Sequence, residues 1–394
     1  MSNIVKNFEP EYSDADWASA RAALAASKNT IIAHIDTGIF PHPGLGSSND
    51  KTMPDNILMR RGRNFYDPIT SKQKHAPWSY LTSPKGGISN LTSIPDHGVK
   101  TLSVILSDTP EFRGICPGAK VIPYRVSNGP LFRKSIGPFA EDGASTALIG
   151  KAIIHAIDQK PAASVISISM GNPGWMGPFG GFVIDALGGE AGMARSTGLA
   201  INHAYERGVI IRAAAGQVSR DVIYPARFGR TISVAGFDHD GSTYTHFPKG
   251  GYTSGNAFVD TWARAVGLNR AAGHRNDQGR IVRSWAETED LSKGDPSGTS
   301  YATPIVAAAA AMWIEKYADI LATPAFSGKD NAWRRVEAFR HILKTTMPAQ
   351  QMQSGRARID PIATRPLDIP RLLRTTPNPE IKYVKRPSWG RGLF

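Results

Sequence analysis

A single cysteine, Cys116, is all the thiol that this 394-residue chain contains. That excludes an intrachain disulfide framework, so stability has to come from a hydrophobic core. Long apolar runs are missing as well. The longest, residues 305–314, is about half of the ~18 residues that a membrane-crossing helix needs, and much of it is alanine. The opening residues Met1-Ser2-Asn3-Ile4-Val5-Lys6 lack the charged end, apolar block and small-residue cleavage site of a signal peptide. Acidic residues are the minority, 33 against 46 Lys and Arg, for a net charge of +13. Such a surface attracts polyanions without selectivity. No nucleic-acid-binding motif accompanies the charge, so no specific nucleic-acid partner is expected. These absences lead to the expectation of a cytoplasmic protein with no membrane span.

What is present is ordinary globular composition, 41% hydrophobic and 20% charged, and no internal repeat. Residues 14–28 read as an amphipathic helix behind a Ser13 or Asp14 cap. β-Branched runs at residues 30–35, 120–126, 164–169, 208–213 and 231–235 predict strands. Helical spacing predicts helices at residues 99–107, 144–159 and 192–207. The strands are apolar almost throughout, as expected where helices cover both sheet faces. The alternation predicts an α/β fold, three layers, doubly wound around a mostly parallel sheet. Expected boundaries are an N-terminal helical lead at 1–27, one domain at 28–364 and a basic C-terminal tail at 365–394. Residues 47–95, 172–192 and 237–296 break the alternation, and long loops of this kind are usually functional or disordered.

Ligands of such folds sit beyond the carboxyl ends of the strands. There the sequence offers the parts that amide hydrolysis needs: a nucleophile, a base, a group orienting the base, and oxyanion donors. Asp36-Thr37-Gly38 follows the first strand, His97-Gly98 opens a helix, and Ser300 stands in Ser297-Gly298-Thr299-Ser300-Tyr301-Ala302-Thr303-Pro304 at the start of an alanine-rich helix. A serine there presents its hydroxyl and its N–H at the positive end of the helix dipole.

These blocks resemble the subtilisin family, the subtilases, in which Asp-Thr/Ser-Gly, His-Gly-Thr and Gly-Thr-Ser-Met-Ala-Thr/Ser-Pro occur in that order. His42-Pro43-Gly44-Leu45 is similar to the family's His-Pro-Asp-Leu, Cys116-Pro117-Gly118-Ala119-Lys120 to the lead into a strand, and Gly355-Arg356-Ala357-Arg358-Ile359-Asp360 to the closing segment. No one block is diagnostic, since Asp-Thr-Gly also occurs in aspartic proteases; their joint order is. The resemblance implies a serine endopeptidase with Asp36, His97 and Ser300 as triad and no cofactor. It implies protein or peptide substrates lying along Ser169, Met170 and Gly171 as an added strand, with Ala214, Ala215 and Gly216 of the oxyanion segment also binding substrate. It also implies that Gln217, where the family usually has asparagine, donates to the oxyanion.

Departures are visible too. The histidine block reads His97-Gly98-Val99-Lys100-Thr101-Leu102-Ser103, Tyr301 replaces a methionine, and Gly44 replaces an aspartate that helps hold a structural calcium in secreted relatives. No metal is therefore expected. Residues 47–95 and 172–192 are expected to rim the cleft, with Arg60, Arg61, Arg63, Lys72, Lys74 and Lys85 favouring acidic substrate stretches. The competing readings are a catalytically weak binding or scaffold module and, last, a nonspecific nucleic-acid binder.

Overall fold

In a computed structural model of the chain, the residues described are 13–49, 51–66, 76–79, 81, 94–110, 112–131, 146–172, 195–216, 222–237, 259–286, 298–347, 350–352 and 362–383. Helix α1 (Ala15–Ala26) leads to β1 (Ile31–Asp36), then β2 (Arg63–Asn64), α2 (His97–Leu106) and β3 (Lys120–Arg125). Next come α3 (Ala147–Ile157), β4 (Val165–Ile168), α4 (Arg195–Glu206), β5 (Ile210–Ala214), β6 (Ile232–Phe237) and β7 (Thr261–Arg264). A hairpin, β8 (Arg270–Arg275) and β9 (Ile281–Ala286), precedes α5 (Thr299–Lys316), α6 (Ala318–Ala322) and α7 (Arg334–Thr345). Strands β10 (Gln350–Met352) and β11 (Ile362–Thr364) and helix α8 (Ile369–Arg374) follow.

Seven strands form one parallel sheet in the order β2-β3-β1-β4-β5-β6-β7. The five strands expected from β-branched runs are all there, and the α/β doubly wound class is the one observed. Alternate residues of β1 enter two different cores. Ile31, Ala33 and Ile35 pack with α3 and α4, while Ile32 packs on the side of α2 and α5. With a period of two, His34 and Asp36 face the α2 and α5 layer. From β1 the chain crosses to β3 through α2, then passes back to β4 on the other flank of β1 through α3. The carboxyl end of β1 is thus the point where the winding reverses, which opens a crevice.

Sequence reading did not find β2, β7 or the β8–β9 hairpin. Thr261-Trp262-Ala263-Arg264 is too short to show a period, and β8 and β9 carry Gly273 and several arginines. Both flanks are packed onto the core in their described parts. Asp14 caps α1 by accepting the Trp17 N–H at 3.0 Å, and Trp17, Ala20 and Leu24 are buried. Within 365–383, Ile369, Leu372 and Leu373 are buried, and Arg374 pairs with Asp14 and Asp16. A basic composition therefore does not mark this stretch as a free tail; its apolar residues dock while Arg374 binds the start of the first helix.

Candidate active site

Asp36, the last residue of β1, is wholly buried. Its Oδ1 accepts from Nδ1 of His97 at 2.7 Å and from the Thr37 N–H at 2.7 Å, and its Oδ2 accepts from the Thr101 hydroxyl at 3.0 Å. Burial pushes its pKa up, but the charge and hydrogen bond of His97, with help from His34 and the Thr37 amide, outweigh that and hold it below the ordinary carboxylate value. A carboxylate only accepts, so the His97 proton is on Nδ1 and Nε2 is left as the basic nitrogen.

His97 is the first residue of α2 and is buried. The helix start is fastened to the turn after β1: the Gly98 N–H donates to Thr37 Oγ1 at 2.9 Å, and that hydroxyl donates to the Pro95 carbonyl at 3.0 Å. A Cβ on Gly98 would lie 2.2 Å from the Gly38 carbonyl oxygen. Only glycine allows this approach, which is the physical reason for a His-Gly pair here.

Ser300 is the second residue of α5, behind the extended N-cap Gly298. Its position puts its N–H among the donors that an α-helix leaves without an intrahelical partner. Pro304, four residues on, has no N–H to give the Ser300 carbonyl. The helix is anchored through Thr299, whose hydroxyl accepts the Gly216 N–H at 3.2 Å, and its Ala307–Ala311 stretch is fully buried against the sheet. The Ser300 hydroxyl donates to the Ser169 carbonyl at 2.9 Å. Among the described residues this is its bond, and it is not hydrogen-bonded to the His97 ring. Nucleophile–base bonds often form only when substrate is bound. The register Ile35–Ile168 between β1 and β4 puts Asp36 beside Ser169, so both pairs share one edge of the sheet.

Sequence reasoning missed three neighbours: Thr101, His34 and Arg270. The Tyr301 ring lies 6.1 Å from the His97 ring, and the wholly buried Arg270 of β8 stands 3.9 Å over Tyr301. No motif signals Arg270. Thr101 and His34 were visible only as spacing, one helical turn after His97 and two residues before Asp36.

The Ser169-Met170-Gly171 segment leaves β4 at the same edge. Its Gly171 N–H donates to the Pro130 carbonyl at 2.9 Å, Leu131 bridges Gly171, and Asn172 bridges Tyr224. Ala214 and Ala215 are buried at the end of β5, and Gly216 follows with φ +90°. Gln217 lies outside the described residues, and so do Lys72, Lys74, Lys85 and most of residues 172–192. Arg61, expected at the cleft rim, donates to the Pro161 carbonyl on the approach to β4, at the opposite end of the sheet.

Gly44 tests whether the calcium of secreted relatives fits. A Cβ there would come within 2.6 Å of the Trp285 ring and 3.0 Å of the Ala271 methyl. The β8–β9 hairpin fills the space that a carboxylate would need, so the position does not fit that site. His42 holds the same turn: its Nδ1 accepts the Gly44 N–H at 2.9 Å, and its Nε2–H donates to the Ser284 carbonyl at 3.1 Å. No helix among the described residues is long and apolar enough to cross a membrane.

Against known families, residues 27–360 match the Subtilase family. The chain belongs to the subtilase family. Subtilases are serine proteases, so this is a hydrolase acting on protein or peptide. A search of curated proteins by sequence finds no match. Among solved structures, a protease from Pseudoalteromonas arctica is similar in fold, with a TM-score of 0.59 and 20% identity, over 91% of this chain and 93% of that one. The prenylagaramide maturation protease PagA is similar at a TM-score of 0.50 and 16% identity, over 91% and 96%. Identities this low speak to the fold alone.

Proposed function

We propose that this subtilase is an endopeptidase that works through an acyl-enzyme on Ser300. The observation that carries the reading is the buried 2.7 Å bond from His97 Nδ1 to Asp36, at the strand edge where Ser169 holds the Ser300 hydroxyl. Ser300 Oγ turns from the Ser169 carbonyl and attacks the scissile carbonyl carbon while its proton passes to His97 Nε2. The new imidazolium is stabilised by ionised Asp36, which keeps its own charge. Collapse of the tetrahedral adduct breaks the C–N bond, and His97 returns the proton to the leaving amine. Water, activated by the same nitrogen, then releases the acid and frees Ser300. The Ser300 N–H and the Gln217 side chain serve as oxyanion donors in this reading, and the substrate strand runs along Ser169, Met170 and Gly171, facing Ala214, Ala215 and Gly216. No step uses a metal or cofactor.

The test is hydrolysis of a peptide library by the purified chain and by Ser300→Ala. Cleavage within peptides, lost in the variant while its circular dichroism is unchanged, supports the reading, and full activity in Ser300→Ala removes Ser300 from the mechanism. A catalytically weak binding module is the second reading, favoured by the Ser300 hydroxyl resting on Ser169; it predicts peptide binding without turnover.

A further inference from the structure

The contacts around the second oxygen of Asp36 reach further than a triad requires. Thr101 Oγ1 lies 3.0 Å from Asp36 Oδ2, 3.0 Å from the His97 carbonyl and 3.2 Å from the Gly98 carbonyl. On its remaining side, His34 Nε2 stands 3.2 Å from the same hydroxyl and 3.1 Å from the Gly98 carbonyl. All five residues are buried. A hydroxyl has one proton, so these contacts compete. In a helix, the default for threonine is to give it back to the carbonyl four residues earlier, here that of His97.

We propose that Thr101 and His34 are positioning residues for the peptidase reaction, a donor chain from His34 Nε2–H to Thr101 Oγ1 and from its hydroxyl to Asp36 Oδ2, which locks the carboxylate that orients His97. The inference rests on the reading of Asp36 and His97 given above. A carbonyl only accepts, so the contact with Gly98 fixes the His34 proton on Nε2. That same N–H then meets the Thr101 oxygen, which is left to donate elsewhere. The carboxylate is the stronger acceptor, because a bond to an ionised oxygen is about twice as strong as one to a neutral carbonyl. Burial lowers the pKa of His34, against the pull of Asp36 at 3.9 Å, so His34 is a neutral donor and not a second imidazolium.

With Thr101 on Oδ2, and His97 and Thr37 on Oδ1, both oxygens of Asp36 are held and its plane cannot turn. The ring of His97 inherits that orientation. The Thr101 bond also lowers the proton affinity of Asp36, so a proton taken from Ser300 stays on His97. The arrangement follows from spacing. Residues two apart on β1 share a face, and residues four apart on α2 stack one turn above the other.

The variants to compare are Thr101→Val, which keeps shape and loses the hydroxyl, and Thr101→Ser, which keeps the hydroxyl. Loss of one bond to a charged group predicts a kcat about tenfold lower in Thr101→Val with KM unchanged. The acid limb of kcat/KM moves up by about one pH unit, since a less stabilised carboxylate attracts the His97 proton more strongly. Thr101→Ser keeps most of the rate and the original limb. His34→Leu shifts both in the same direction by less, and His34→Gln, which keeps a donor near Nε2, restores them. The other charged groups around the pair are unchanged in every variant: Asp96 paired with Lys100 at 3.3 Å on α2, Arg125 beside Asp36 on β3, and Arg270 over Tyr301. α5 brings Ser300 and Tyr301 to this edge, and β4 brings Ser167 and Ile168, none of which carries a charge.

A second readout does not depend on turnover: the NMR titration of the His97 ring in a Ser300→Ala background. An upward shift in Thr101→Val, absent in Thr101→Ser, supports the donor chain even if the protein proves not to be a peptidase. Equal losses in Thr101→Val and Thr101→Ser, or a His97 titration and kcat untouched by Thr101→Val and His34→Leu, overturn it.

Discussion

Asp36 and Asp260 are both buried carboxylates, and in both burial raises the pKa while neighbours outweigh it and bring it below the ordinary value. Their neighbours differ in kind. Asp260 binds Arg340 at 2.8 Å, Lys344 at 3.0 Å and the Ser233 N–H at 2.9 Å, while Glu337 braces Arg340 at 3.2 Å. Its partners are cations that stay charged at any physiological pH. Asp36 is held instead by an imidazole, a hydroxyl and an amide. Asp260 precedes β7 at the amino edge of the sheet and ties α7 to it, whereas Asp36 ends β1 at the carboxyl edge. A carboxylate facing fixed cations is a clamp; one facing an imidazole that can gain and lose a proton is fit for chemistry.

The sharpest way to break this comparison is to neutralise each carboxylate in turn. Asp36→Asn is expected to lower kcat about 10⁴-fold, because His97 then holds the wrong tautomer. Steady-state kinetics on the folded variant checks it. Asp260→Asn is expected to keep its activity per folded molecule but to lose about 3 kcal/mol of stability, since the largely buried Arg340 is left beside a neutral group while the exposed Lys344 returns to water. Urea denaturation reads that loss, and a similar loss in Asp36→Asn without loss of rate would reverse the assignment.

A smaller effect tests the turn that follows β1, where Gly44 is packed against Trp285 and Ala271. Gly44→Asp forces a side chain into Trp285 and is expected to cost about 1–3 kcal/mol. Added calcium is expected to leave the melting temperature of this variant unchanged, and a calcium-dependent rise would show that the turn still accommodates the ion.

Acid separates the two kinds of group most finely. Burial lowers His42 from 6.5 to about 4 and lowers His34 as well, so the unfolded chain binds protons there that the folded chain refuses. Their stability contribution is complete above about 6.5 and is lost as pH falls toward the folded values. Asp260 is depressed, so its contribution is present above 3.8 and is lost only as pH falls below that through its folded value. Denaturation midpoints against pH are expected to fall in two steps, with His42→Asn flattening the upper and Asp260→Asn the lower. A single step untouched by either variant contradicts the account.

What the sequence made legible follows this same division. Asp36 and His97 could be read as candidates because each stands in a short motif that its backbone requires, as the 2.2 Å approach of Gly98 to Gly38 shows, and Ser300 because its block opens an alanine-rich helix. The central strands were legible because they are buried on both faces. Thr101 and His34 were passed over because a threonine in a helix and a histidine in a strand are ordinary core residues until the distance to Asp36 is known. The β8–β9 hairpin was read as loop, since its arginines and Gly273 hide the alternation, and Arg270 finds its ring on Tyr301, distant in sequence. Residues 365–383 were read as tail from charge, where the buried Ile369, Leu372 and Leu373 decide instead.

One measurement tests the central claim most directly: labelling of the native protein with a fluorophosphonate probe, mapped by peptide mass spectrometry. The account predicts that Ser300 is labelled in the wild type and in Asp260→Asn, and that His97→Ala and Asp36→Asn react at least a hundredfold more slowly, on the order of a lost general base. Labelling of Ser300 at the same rate in all four proteins, or at no serine in the wild type, would contradict it.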